Sequence, residues 1–78
     1  MNPRVKEVNT TQNFMLQLVF TNDEKKQFDV KPYFNFGLFS ELSDYAIFKT
    51  AKVEYGTVNW SNGLDICPDT LYLESEII

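Results

Sequence analysis

Apolar residues fall on every second position of "FMLQLVF": Phe14, Leu16, Leu18 and Phe20 on one side, Met15, Gln17 and Val19 on the other. That period predicts a half-buried strand. "KQFDV" repeats it with Phe28 and Val30 inward, and "TNDEK" between them is turn chemistry. A three-residue loop, Asn22 to Glu24, would pair Phe20 with Lys26, Leu18 with Phe28 and Leu16 with Val30. A two-residue loop would set apolar residues opposite polar ones, so the buried face selects the odd loop. "RVKEV" supplies an earlier strand, in which Val5 and Val8 both face inward only across a bulge.

Beyond Val30 the alternation stops. Pro32 ends the strand. Gly37 suits a positive φ ahead of a helical turn in "LFSEL". Ser43 or Asp44 can cap a second short helix, "YAIFK", with Tyr45 and Phe48 on one face. "AKVEY" alternates again and "VNW" follows with the opposite parity, which predicts a bend or bulge at Gly56. A three-residue loop, Ser61-Asn62-Gly63, pairs Trp60 with Leu64 and Val58 with Ile66, and places Gly63 where a left-handed residue closes the turn. Asn59 and Asp65 then share the opposite, more polar face.

"CPDTLYLES" reads as a helix start, with Cys67 at the N-cap, Pro68 at the first helical position and Asp69 in the first turn. Leu71, Tyr72, Ser75 and Ile78 form its expected inward stripe. "LYLES" also fits a strand by alternation, but the Pro-Asp-Thr start favours helix. The expected fold is α+β: a small, mainly antiparallel sheet of about five strands, with short helices after the third and the fifth strand.

Composition bounds this picture. Seventy-eight residues make one domain with a small core, burying only about 60% of the unfolded surface. Aromatic residues are 15% of the chain, and each brings a large apolar area to that core. The formal net charge of −4 does not suit a phosphate backbone, and no nucleic-acid contact is expected; a basic partner suits it better. No signal-peptide pattern opens the chain and no apolar run reaches membrane-spanning length, so a cytoplasmic protein with no membrane contact is expected.

Candidate chemistry is sparse. Cys67 is the single cysteine and there is no His, so a nucleophilic thiol would lack its usual base. Cys67 is expected to be a small, partly buried residue. One cysteine builds no zinc site, and "DICPD" lacks the repeated carboxylates of a calcium loop. Asp65 and Asp69 read as backbone-bonding and helix-start residues; the alternative is a small-ligand or divalent-metal face beside Trp60. The three glycines are isolated, so no phosphate loop is present. No enzyme activity and no cofactor are expected. "PYFNFGLF" reads first as core. Its functional reading leaves Tyr33, Phe34 or Phe36 exposed as a partner surface. The candidate partner-binding residues are therefore Tyr33, Phe34, Phe36, Asn59, Trp60, Asp65 and Asp69. An unpaired edge strand with exposed aromatics would also suit a homodimer.

"FDVKPYF", "GLFSEL", "VEYGTVNW" and "NGLDICPDTLY", in this order, resemble the bacterial domain-of-unknown-function family 2442 over nearly the whole chain. Two turn positions depart from the family's pattern: Ser61 stands where Pro is frequent, and Asp23 where Gly is. The resemblance implies a small α+β domain without established enzymatic activity. It further implies a partner encoded beside it, a small protein of domain-of-unknown-function family 4160, in a toxin–antitoxin-like arrangement with this chain as antitoxin. Some relatives carry a fused helix-turn-helix module; these 78 residues have no room for one, and DNA binding is not expected to carry over.

Overall fold

A computed structural model describes residues 2–78. Seven strands form two antiparallel sheets: β1 (Val5–Thr10), β2 (Met15–Phe20), β3 (Lys25–Asp29), β4 (Lys52–Glu54), β5 (Thr57–Asn59), β6 (Asp65–Ile66) and β7 (Glu76–Ile77). The first sheet has the order β1-β2-β3-β7 and the second β4-β5-β6. Between β3 and β4 lie two 3-10 helices, Lys31–Asn35 and Gly37–Ser43, and the helix α1 (Tyr45–Phe48). We call this stretch the plug. The helix α2 (Pro68–Glu74) precedes β7. The α+β class holds, with helices after the third strand and over "CPDTLYLES", but the single five-stranded sheet does not, and α2 follows the sixth strand rather than the fifth because the chain reverses at Tyr55-Gly56.

Three of the hairpins share one loop. In each, three residues are spanned by two backbone hydrogen bonds. Thr11 N donates to Met15 O and Phe14 N to Thr11 O; Phe20 N donates to Glu24 O and Asp23 N to Phe20 O; Trp60 N donates to Leu64 O and Gly63 N to Trp60 O. The third loop residue is left-handed every time: Phe14 (φ 61°), Asp23 (φ 68°) and Gly63 (φ 88°). That is a type I turn closed by a left-handed residue, a connection whose twist suits the flanking strands. The Ser61–Gly63 loop and the pairing of Val58 with Ile66 match the sequence reading.

The β2–β3 loop is odd as expected but lies one position earlier, at Thr21–Asp23. Leu18 therefore pairs with Lys26 and Leu16 with Phe28, a two-residue shift that preserves every side chain's face. Loop chemistry explains it. Asp enters the left-handed region more readily than Glu, and Asn22 Oδ1 accepts from Glu24 N at 3.1 Å across the loop's end. Phe14 is likewise a loop residue rather than the first residue of the strand. The bulge anticipated in β1 lies between Val5 and Glu7.

The segment expected to bend at Gly56 reverses completely. Tyr55 (φ 54°) and Gly56 (φ 76°) form a two-residue turn, and Val53 pairs with Val58. A chain reversal inverts apparent parity just as a bulge does, so alternation alone does not separate the two. Gly56 is required twice over: for its φ, and because a Cβ there would come within 3.0 Å of Arg4 Cβ. Val5 N also donates to Gly56 O at 2.8 Å, tying the first sheet to the second.

The core draws on every layer. Leu16, Leu18, Phe20 and Phe28 come from the first sheet, Val58 and Ile66 from the second, Leu42 and Phe48 from the plug, and Leu71 from α2. Burying each such side chain contributes about 1.5–3 kcal/mol. Asp44 caps α1 by accepting from Ala46 N at 3.0 Å. Cys67 holds the N-cap of α2 without a side-chain cap, Pro68 begins the helix and Asp69 sits in its first turn. Leu71 and Ser75 are buried as expected. Ile78 is exposed, beyond both the helix and β7, because the chain leaves α2 after Glu74 to pair with β3.

Candidate interaction surface

The aromatic stretch of the plug divides into an inner and an outer part. Tyr33 is half-buried, its ring 5.6 Å from Phe28 and 5.7 Å from Phe39, and its hydroxyl donates to Glu74 Oε1 at 3.2 Å. Burial, then the Glu74 carboxylate, push its phenol above the ordinary range. Phe34 packs edge-on against Phe14 at 5.3 Å. Phe36 and Leu38 face outward, 64% and 62% exposed. Phe36 joins the two 3-10 helices, and the extended backbone there (φ −116°, ψ 103°) aims the chain outward.

The plug is also acidic. Its charged residues are Lys31, Glu41 and Asp44, a net charge of −1, and Lys49 follows directly after α1. Among the described residues three of the cations are paired: Lys6 with Asp23 at 3.1 Å, Lys31 with Asp29 at 3.0 Å and Lys52 with Glu54 at 3.2 Å. These exposed pairs add little stability.

The other candidate residues do not join this surface. Trp60 is buried, its indole N–H donating to Phe48 O at 3.0 Å, so it anchors the second sheet to the plug and offers nothing to a partner. Asn59 is half-buried and donates to Glu54 O at 3.2 Å, closing its own sheet. Asp65 is exposed in β6; Asp69 is exposed and accepts from Asn2 Nδ2 at 3.3 Å. Among the described residues no three His, Cys, Asp or Glu side chains gather into a metal-holding group. An open groove lined by Gln12, Asn13, Phe14, Met15, Gln27 and Lys31 includes neither Asp65, Asp69 nor Trp60, and its lysine already donates to Asn13 O at 2.8 Å. Cys67 is exposed rather than partly buried, because the N-cap position turns its side chain away from the core.

Leu38 went unmarked in the sequence, and alternation set Tyr55 on the inward face with Ala51 and Val53, a placement the turn at Tyr55-Gly56 overturns. Tyr55 is 92% exposed at its turn. The signal for Tyr55 was its glycine neighbour between two short apolar runs; nothing in the local pattern separated Leu38 from the buried Leu42.

A second cluster fastens α2. Lys26 Nζ lies 3.9 Å over the Tyr72 ring and donates to Tyr72 O at 2.7 Å. The Tyr72 hydroxyl and Asn22 Nδ2 both donate to Glu24 Oε1. The Tyr72 hydrogen bond, then that from Asn22, hold the Glu24 carboxyl below its usual range; the same Glu24 bond pushes the Tyr72 phenol up.

A small α+β domain of two hairpin-built sheets, with an acidic, partly apolar plug, is the class these features define. The chain belongs to the family described as "Protein of unknown function (DUF2442)", whose model matches residues 5–76. No curated protein and no solved structure matches it. Among the described residues no helix is long and apolar enough to cross a membrane.

Proposed function

We propose that this chain is a non-catalytic interaction module that binds a basic protein partner through the plug. The observation that carries the reading is the exposure of Phe36 and Leu38 at the start of the second 3-10 helix, whose charges, with its C-cap, are Glu41 and Asp44. Exposed apolar side chains inside an acidic rim suit a partner with an apolar contact and basic flanks. The partner is a small basic protein encoded next to this chain, and the role is antitoxin-like: occupancy of the partner's surface rather than chemistry on it.

Co-expression with the neighbouring gene product, followed by capture through a tag on this chain, tests the reading. The wild type retains the neighbour. The double variant Phe36→Ser, Leu38→Ser loses it by at least about tenfold while unfolding within about 0.5 kcal/mol of wild type, as exposed positions do. A wild-type chain that emerges alone would overturn the proposal.

A further inference from the structure

The three matched loops each carry asparagine in the middle, at Asn13, Asn22 and Asn62, and only Asn62 is followed by glycine. Glycine lacks the Cβ that hinders its backbone nitrogen from approaching the preceding side-chain carbonyl. In the fold, every group that such an attack needs is engaged. Gly63 N donates to Trp60 O at 3.0 Å, Asn62 Oδ1 accepts from Leu64 N at 3.2 Å, and Asn62 Nδ2 donates to Glu41 Oε1 at 3.0 Å. The last bond joins the second sheet to the plug.

We propose that Asn62 is a spontaneous deamidation site, restrained by the folded loop and by its Glu41 contact, whose conversion loosens the second sheet from the plug by removing that contact, while the buried Trp60–Phe48 bond remains. In the reaction Gly63 N gives its proton to solvent base and attacks Asn62 Cγ. The N–Cγ bond forms, the Cγ–Nδ2 bond breaks, and the leaving nitrogen takes up a proton and departs as ammonia. Water then opens the succinimide at either carbonyl, giving aspartate or isoaspartate; nothing is oxidised or reduced.

The product reverses the contact. The amide donor that held Glu41 is gone, and a second carboxylate stands across what was a 3.0 Å hydrogen bond. Like charges at that separation repel. Isoaspartate also lengthens the loop backbone by one methylene, against the register that pairs Trp60 with Leu64. Glu41 lies on the same 3-10 helix as Leu38; the inference itself stands on loop geometry, whether or not a partner docks there.

The test follows conversion of the full chain in mildly alkaline buffer by peptide mass spectrometry, with aspartate and isoaspartate peptides separated by chromatography. Conversion at Asn62 is expected to be about tenfold or more faster in denaturant than in the native chain, since native conversion waits for local opening. Native Glu41→Ala is expected to fall between the two. As a product mimic, Asn62→Asp is expected to lower the thermal midpoint, and adding Glu41→Gln to recover most of the loss. Equal rates in the native and unfolded chains would overturn the restraint. An Asn62→Asp chain as stable as wild type would overturn the loosening. Conversion at Asn22 ahead of Asn62 would overturn the site.

Discussion

Phe14 and Gly63 hold the same position, the third of three, in loops with the same two hydrogen bonds, yet one is an aromatic residue and the other glycine. A left-handed conformation costs a side-chain-bearing residue about 1–2 kcal/mol. Phe14 offsets this through its ring, which meets Phe48 at 5.1 Å, Phe34 at 5.3 Å and Tyr45 at 5.9 Å. The loop therefore turns an aromatic side chain inward beneath the plug.

Replacing Phe14 tests that balance. Phe14→Gly relieves the backbone but empties the centre of the aromatic cluster. Loss of a core Phe costs about 3–5 kcal/mol, so the variant is expected to be less stable by about 2–4 kcal/mol in denaturant unfolding. A variant as stable as wild type would show that the ring contacts contribute nothing.

Tyr55 presents the opposite case. It occupies a left-handed position without ring contacts and is 92% exposed. Asn or Gly is the preferred residue there. Tyr55→Asn is expected to raise stability by up to about 1 kcal/mol, read as a higher denaturant midpoint with an unchanged slope.

Both ends of the pH scale act on the Tyr72–Glu24 bond. Glu24 has a folded pKa below its unfolded value. Its contribution is full above the ordinary glutamate range and is lost as pH falls through the folded value. Tyr72 has a raised folded pKa. Its contribution is full below the ordinary phenol range and is lost as pH rises through the folded value. Thermal midpoints of Glu24→Gln across pH are expected to show a shallower acid limb than wild type.

Cys67 occupies an N-cap without making a cap hydrogen bond. Ser and Asp are the residues that make one. Cys67→Ser is expected to leave the fold intact and raise its stability by about 0.5–1 kcal/mol, measurable by urea titration.

Much of this architecture was legible in the chain. Pro68 and Asp69 marked α2, and Gly63 fixed the loop that pairs Trp60 with Leu64. Parity gave the correct faces of β2 and β3, but faces repeat every two residues, so it did not separate Leu18–Phe28 from Leu18–Lys26 pairing. The left-handed tolerance of Asp23 decided that. Gly56 was seen as a break, but whether the chain bulged or reversed depended on Val5 and Arg4, far away in sequence. β7 was missed because two residues carry no period. The outward turn of Phe36 and Leu38 was illegible for a similar reason: 3-10 segments this short have no repeat from which to read a buried face.

Every strand pairing but one joins neighbours along the chain; the exception is β3 with β7, held at Lys26–Ile77 and Gln27–Glu76. The sequential hairpins close only short loops, and hairpins of this kind form in about 1–10 μs each. Seating β7 requires closing the whole span from β3, including the plug and the second sheet, for two residue pairs in return. The last seam to close in folding is thereby the first to open, and amide exchange should run from Glu76 and Ile77 inward, with α2 held longer by the grip of Lys26 and Glu24 on Tyr72.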